Sequence, residues 1–483
     1  ILTWEFGLFC LLGSVAGLLV GALPGFSVTM GTALLISITY GWPAHLALAT
    51  MLGVYVSGVY AGAFSAILIN IPGAPSSVAT SLDGFPMARR GEAARALWVA
   101  TFHSLVGSLV GFIVLGCVAE YVARVALNFA AIDYFLLGLL GLSVVGSLSG
   151  TSIAKGWIAA VIGLLLSLVG QDPIDGAQRF TFGQAGLLDG IGIIPVMIGL
   201  FGFAEILGQI GQGGAEGIAV SATTGARRSI AGQMRFMGLS VRSALIGVGV
   251  GALPGVGAPV ASLLAYSQAR KSVKNPERPF GTGAPEGVVA SEAANNGCVG
   301  GALIPMLTLA IPGDAVTAVM LAGFTVHGLR PGPMLFMESP ELLPLVVCGG
   351  VLASLLMFGL GVTVVPFMSR IVLIPKRILL GVVALVCVIG AYAARGGMFD
   401  VWVMLAFGLG GYVMKKRGYP IAPVVLGLVL GSMMDANFRR AVNLALSSDN
   451  FLTALIGRPS SICLLALLAL YLVGRVRGRG KAG

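Results

Sequence analysis

Long, uninterrupted apolar runs limit this chain more than any other feature. They cover roughly residues 7–40, 46–82, 96–119, 131–149, 156–169, 190–210, 237–269, 287–323, 341–368, 378–394, 400–414, 419–434 and 451–473. About 20 apolar residues make one bilayer-spanning helix, and in lipid only helices and closed barrels pair every backbone group. The runs lack the alternation of barrel strands. The expected fold is therefore an all-α polytopic membrane protein with about 10–12 transmembrane helices. Charged residues make up only 10% of the 483, too few to clothe a soluble protein of this size. A soluble enzyme and a disordered chain are excluded, and the glycines lack the period of three that collagen needs.

The net charge is +10. Its basic residues fall in short breaks between apolar runs, as in cytoplasmic loops, which argues against a nucleic-acid partner. Cys10, Cys117, Cys298, Cys348, Cys387 and Cys463 stand singly in apolar stretches and read as small buried hydrophobes. The first apolar run reads as part of the fold, not as a signal peptide.

The chain contains a duplication. Gly21-Ala22-Leu23-Pro24-Gly25 recurs as Gly251-Ala252-Leu253-Pro254-Gly255. Ile71-Pro72-Gly73 likewise recurs as Ile311-Pro312-Gly313. The longer second copy fits the polar insertion from Arg270 to Glu286. Glycines at spacing four (Gly17, Gly21, Gly25 and Gly247, Gly251, Gly255) read as faces for close helix packing. The division expected is a first repeat at 1–130, connecting transmembrane helices at 131–235, a second repeat at 236–370, and C-terminal helices with a basic tail at 371–483.

Basic residues imply that the repeats are inverted. In the first, the loop between breaks lacks Lys and Arg, while the loop after the second break holds Arg89, Arg90 and Arg95. In the second, Arg270, Lys271, Lys274 and Arg278 lie between the breaks and only Arg330 follows. Equivalent loops on opposite sides of the membrane produce this pattern. Alternation puts Lys376-Arg377, Lys415-Lys416-Arg417 and the C-terminal tail in the cytoplasm, and it leaves Arg439 and Arg440 outside, against the rule.

A Pro-Gly inside an apolar run ends one helix and starts another, since Pro lacks the amide donor and Gly tolerates the bend. The freed backbone must face protein or a water-filled cavity. Each new helix start offers free N–H groups and a positive dipole end to an anion. Two such breaks in each of two repeats match secondary transporters with discontinuous helices. The candidate substrate site is Pro24, Gly25, Ser27, Thr29, Asn70, Pro72, Gly73, Ser76, Ser77, Thr80, Pro254, Gly255, Asn295, Asn296, Pro312, Gly313 and Thr317. Each Ser or Thr reads equally well as a cap. Asp314 reads evenly as a helix cap or as a cation-coupling residue. Glu292 is expected nearer the membrane surface and Glu205 at a solvated span end. There is no phosphate-binding GxxxxGK[ST] and no HExxH, and the three histidines are scattered, so no organic cofactor or metal centre is expected beyond a coupling Na⁺ or H⁺.

The strings GALPGFSVTMGTALL, AILINIPGAPSSVATSLDGFPMARRGEAARAL, GALPGVGAP and SEAANNGCVGGALIPMLTLAIPGDAVTAVMLAGFTVHGLRPGP resemble the large membrane subunit of the tripartite tricarboxylate transporters, the TctA family. The resemblance implies a bacterial inner-membrane permease and not an enzyme. It implies a small TctB-like membrane subunit and a TctC-like periplasmic binding protein as partners. Its substrates would be carboxylates such as citrate, or dicarboxylic and aromatic acids, and its energy a Na⁺ or H⁺ gradient. The motion expected is alternating access, with broken helices moving against a scaffold in elevator fashion. A passive channel predicts rings of polar residues, and a membrane enzyme predicts a clustered catalytic set.

Overall fold

The computed structural model describes residues 3–23, 26–148, 152–172, 176–210, 229–371, 376–448 and 451–479. Among these the only strands are Gly170–Gln171 and Gln178–Arg179, a minimal antiparallel hairpin; the regular structure is otherwise helical. The first repeat comprises α1 (Trp4–Ala22), α2 (Val28–Ile38), α3 (Ala44–Ile69), α4 (Val78–Met87) and α5 (Ala93–Ala126). Then come α6 (Ala131–Leu148), α7 (Ile153–Ser167), α8 (Ile193–Met197), α9 (Ala204–Ile210) and α10 (Ile230–Met234). The second repeat runs through α11 (Met237–Gly251), α12 (Gly257–Ser272), α13 (Pro285–Leu309) and α14 (Ala315–Val326). It is followed by α15 (Leu335–Glu338), α16 (Leu342–Ile371), α17 (Lys376–Arg395), α18 (Met398–Lys416), α19 (Ala422–Leu446), α20 (Phe451–Ile456) and α21 (Pro459–Arg479).

Six helices among the described residues are long and apolar enough to cross a bilayer, including Trp4–Ala22, Ala44–Ile69 and Leu342–Thr363. The protein is a multi-pass, all-α membrane protein. The apolar runs 7–40 and 46–82 each divide into two helices.

Two compact units contain these elements. One holds residues 1–123 and 194–416 and includes both repeats; the other holds 124–193 and 417–483. In the second unit, Arg179 pairs with Asp172 at 3.0 Å and with Asp435 at 2.9 Å.

In the first unit α1 packs on α3, and α11 on α13, through the glycine ladders. A Cβ on Gly21 would lie 2.2 Å from the Gly58 carbonyl oxygen, and one on Gly251 would lie 2.5 Å from that of Cys298. Bare backbone against backbone is how membrane helices gain dispersion energy where lipid supplies no hydrophobic drive. Both second helices end in the same way. Asn70 and Ala310 take left-handed conformations at φ 56°, and Ile-Pro-Gly follows each. Asparagine adopts this conformation readily; alanine does so at a cost of about 1 kcal/mol.

The contacts between repeats are reciprocal. Beyond α4, Glu92 meets Arg278 (2.5 Å) and Arg95 meets Glu277 (2.6 Å) in the α12–α13 loop. Beyond α14, His327 Nε2 lies 2.9 Å from the Thr39 carbonyl oxygen at the α2–α3 turn. The loop after the second break of each repeat therefore meets the loop between the breaks of the other.

The polar insertion is ordered by one carboxylate. Asp83 on α4 is fully buried. Its Oδ1 accepts from the amides of Gly281, Gly283 and Ala284, each at 2.8 Å, and its Oδ2 from the Tyr266 hydroxyl at 2.9 Å. Asp83→Asn turns one acceptor into a donor facing Tyr266. We expect it to cost about 2 kcal/mol or more, read as a lower melting temperature in detergent. Unchanged melting would mean that this carboxylate does not hold the loop.

Cys10, Cys298 and Cys387 are buried as expected, but Cys117, Cys348 and Cys463 are exposed. A thiol on an apolar spanning helix suits an outward lipid-facing position as well as an inward one.

Candidate functional site

The starts of four helices line one cavity in the first unit. Its volume is about 150 Å³, and its wall is Ser27, Val28 and Thr29; Val59; Ala74, Pro75 and Ser76; Ala258 and Pro259; and Asp314, Ala315 and Val316. Apart from Val59, each group belongs to the first turn or cap after one interruption, two from each repeat. No Lys or Arg lies in this wall. A larger cavity, about 460 Å³, lies in the second unit, with Arg179, Asp189 and Asp435 in its wall. None of the interruptions reaches it.

Local sequence explains each start. Ser27 caps α2, its Oγ accepting from the Met30 amide at 3.1 Å. Pro75 opens a 3-10 turn through Ser77 that leads into α4. Ser262 Oγ ties α12 to this turn by donating to the Ser76 carbonyl oxygen at 2.8 Å. Gly255 (φ 74°) and Gly257 (φ 69°) form the turn into α12. Asp314 forms a capping box with Thr317: its Oδ1 accepts from the Thr317 amide at 2.7 Å and the Thr317 hydroxyl at 2.8 Å. Its Oδ2 accepts from the Tyr55 hydroxyl at 2.6 Å. Asp314 is thus both a cap and a wall residue of the cavity.

The other candidate residues are distributed as follows. Pro24 and Gly25 lie outside the described residues. Ser27, Thr29, Ser76 and Asp314 line the cavity. Pro72, Gly73, Pro254, Gly255, Pro312 and Gly313 form the bends behind it, Gly73 against the Gly21 carbonyl and Gly313 against that of Gly251. Asn70 is exposed and serves as the C-cap of α3. Ser77 is fully buried, its Oγ against Gly62. Thr80, Asn295 and Asn296 stand apart from the wall, in a buried polar cluster between α13, α4 and α5. Asn295 Nδ2 donates to the Val59 carbonyl oxygen (3.3 Å) and Asn296 Nδ2 to Ser108 Oγ (3.1 Å).

Two acids differ from, or add to, their sequence reading. Glu292 is fully buried inside the protein, in α13. Hydroxyls of Thr80 and Ser104 bind its two oxygens, the latter at 2.9 Å. Glu205 pairs with Lys415 at a span end. Sequence reasoning misses Tyr55: one of two tyrosines in a largely apolar helix, it carries no sequence signal beyond core packing.

The sequence model of the "Tripartite tricarboxylate transporter TctA family" matches residues 8–426. The chain is 36% identical over 434 residues to an uncharacterized 52.8 kDa protein in the TAR-I ttuC' 3' region of Agrobacterium vitis, covering 90% of this chain and 86% of that protein. It is 34% identical over 218 residues to an uncharacterized protein in the TAR-II ttuC' 3' region of the same organism, covering 45% of this chain and 88% of that one. No solved structure matches the chain.

Proposed function

Because the chain belongs to the tripartite tricarboxylate transporter TctA family, we propose that it is the large permease subunit that moves an organic carboxylate across the bacterial inner membrane. A TctC-like periplasmic protein delivers the substrate, a TctB-like membrane subunit completes the complex, and the C-terminal tail lies in the cytoplasm. Transport is secondary, by alternating access, with the broken helices moving in elevator fashion.

One observation carries this reading: four helix starts, two from each repeat, share one cavity wall. Such a wall offers an anion backbone N–H groups and dipole ends without a fixed cation. Each helix end contributes about 0.3–1 kcal/mol, at most about 2 when partly buried. Four together remain below the cost of desolvating two or three carboxylates, which is several kcal/mol for each ion. The carboxylate of Asp314 in the same wall adds repulsion. Bound cations must supply the rest, so Na⁺ or H⁺ accompanies the substrate, with Asp314 as the cation-coupling candidate.

The test is uptake of radiolabelled carboxylates by proteoliposomes containing this chain, its small subunit and the binding protein. Uptake should require all three proteins and collapse without Na⁺ and pH gradients. Uptake indifferent to both gradients would remove the coupling, and uptake without the binding protein would remove the tripartite reading.

A further inference from the structure

Glu292 lies a third of the way along α13, away from the substrate wall, and has no solvent exposure. Its partners are the hydroxyls of Thr80 and Ser104; Thr80 Oγ1 also lies 3.0 Å from Ser291 Oγ. Among the described residues no Lys, Arg or His forms an ion pair with it. The titratable groups around it are otherwise engaged. Tyr60 of α3, within electrostatic reach, lies 2.5 Å from Thr101 Oγ1. His103 of α5, adjoining Ser104, has Nε2 3.3 Å from Gln233 Oε1. Asp83, one turn along α4 from Thr80, is held by Tyr266 of α12 and three amides. Arg242 of α11 donates to Ser272. Glu286, nearer the start of α13, accepts from the Glu277 amide, and Asp314 at the start of α14 is bound by Tyr55.

A carboxylate held only by neutral hydroxyls at such depth is costly as an ion. As an acid it is neutral and can itself donate. We infer that Glu292 binds and releases a coupling proton, at a site separate from Asp314; this rests on the carrier reading above and deepens it. A polar route joins it to the cavity. Thr80 lies one turn beyond the wall residue Ser76, and Asn295 binds the carbonyl of Val59, another wall residue. Along this route Ser77 Oγ, Asn295 Oδ1 and Asn296 Oδ1 are buried without hydrogen-bond partners, as suits groups that serve a water-borne proton. In each cycle the Glu292 carboxylate takes one proton from water on one side, forming the O–H bond. That bond breaks on the other side, returning the proton to water there. Neutralised, Glu292 adds no uncompensated charge to the moving helices.

The experiment uses the complete complex and has two readouts. The first is infrared difference spectroscopy of the buried carboxylic-acid C=O band during a pH titration in detergent. Wild type should show a titrating band, which Glu292→Gln removes and Glu292→Asp or Thr80→Val moves to another midpoint. The second is accumulation from a panel of radiolabelled citrate, succinate and benzoate, at zero membrane potential and constant Na⁺. An inward gradient of one pH unit sustains about tenfold accumulation per coupled proton. Glu292→Gln should reduce this to no accumulation while downhill exchange persists. The inference is overturned if Glu292→Gln keeps the band, if it still accumulates substrate, if wild-type accumulation follows Na⁺ alone, or, should Glu292→Gln not fold, if Thr80→Val leaves the midpoint in place. A titrating Glu292 band with no transport of any panel member would instead count against the carrier reading and leave the proton site standing.

Discussion

Substituting alanine for Gly313 is expected to cost most of the folded protein and nearly all of its uptake. A Cβ there would lie 2.4 Å from the Gly251 carbonyl oxygen and 2.6 Å from the Ala302 Cα. Both obstacles are backbone atoms of tightly packed helices, which yield less readily than the end of a flexible side chain. Overpacking of this kind costs about 1–3 kcal/mol or more. Relief requires moving the bend from α13 into α14 away from α11, and that bend positions Asp314 at the cavity. Gly73→Ala should act the same way in the other repeat, where its Cβ would lie 2.4 Å from the Gly21 carbonyl oxygen. The matched control is Gly249→Ala on α11, with no atom within 4 Å of its Cβ; a helix-interior alanine there should be neutral or stabilise by about 0.5–1 kcal/mol. Thermal unfolding in detergent and uptake by proteoliposomes check all three. Wild-type melting in both Gly313→Ala and Gly73→Ala would mean that the interruptions are not locked against the preceding helices.

The interruptions and their duplication were legible because each has a local cause. Pro and Gly break a helix wherever they stand, and loop charge reports the side of the membrane without knowledge of packing. The buried polar cluster was not legible in this way. It depends on α13 meeting α4 and α5, contacts between residues nearly two hundred positions apart. Moreover, α13 carries Ser291, Glu292, Asn295 and Asn296, so it is not among the six helices apolar enough to mark a span, although nearly every residue in it is buried. Hydropathy measures transfer to lipid, whereas a central helix is transferred to protein, where its polar groups find partners. The same distinction separates the candidate asparagines. Asn70 stands beside a break and caps a helix, whereas Asn295 and Asn296 precede one and bridge to other helices. Nearness to an interruption in sequence marks the bend, not the cavity wall, which is made by the residues that follow it.

Asp314→Asn is expected to leave the fold intact and to reduce ion-driven uptake more than tenfold. Asparagine keeps an acceptor for the Thr317 amide, and Asn serves as an N-cap about as well as Asp, so helix α14 should still start in place. What is lost is the charge. In a wall without Lys or Arg, that charge repels an incoming carboxylate unless a cation lies between them, and its removal would take away the strongest ligand of the proposed coupling cation. Apparent ion affinity should fall, while binding-protein docking stays as it was. Tyr55→Phe removes the hydroxyl that donates to Asp314 Oδ2. It should shift ion affinity in a graded way, by about tenfold, equivalent to about 1.4 kcal/mol. Asp314→Ala adds the loss of the cap, about 1 kcal/mol in stability, and so separates the two roles: melting reports the cap, ion dependence the charge. Should Asp314→Asn retain the wild-type dependence on Na⁺ and pH, the residue is a cap alone, and the proposed coupling site lies elsewhere.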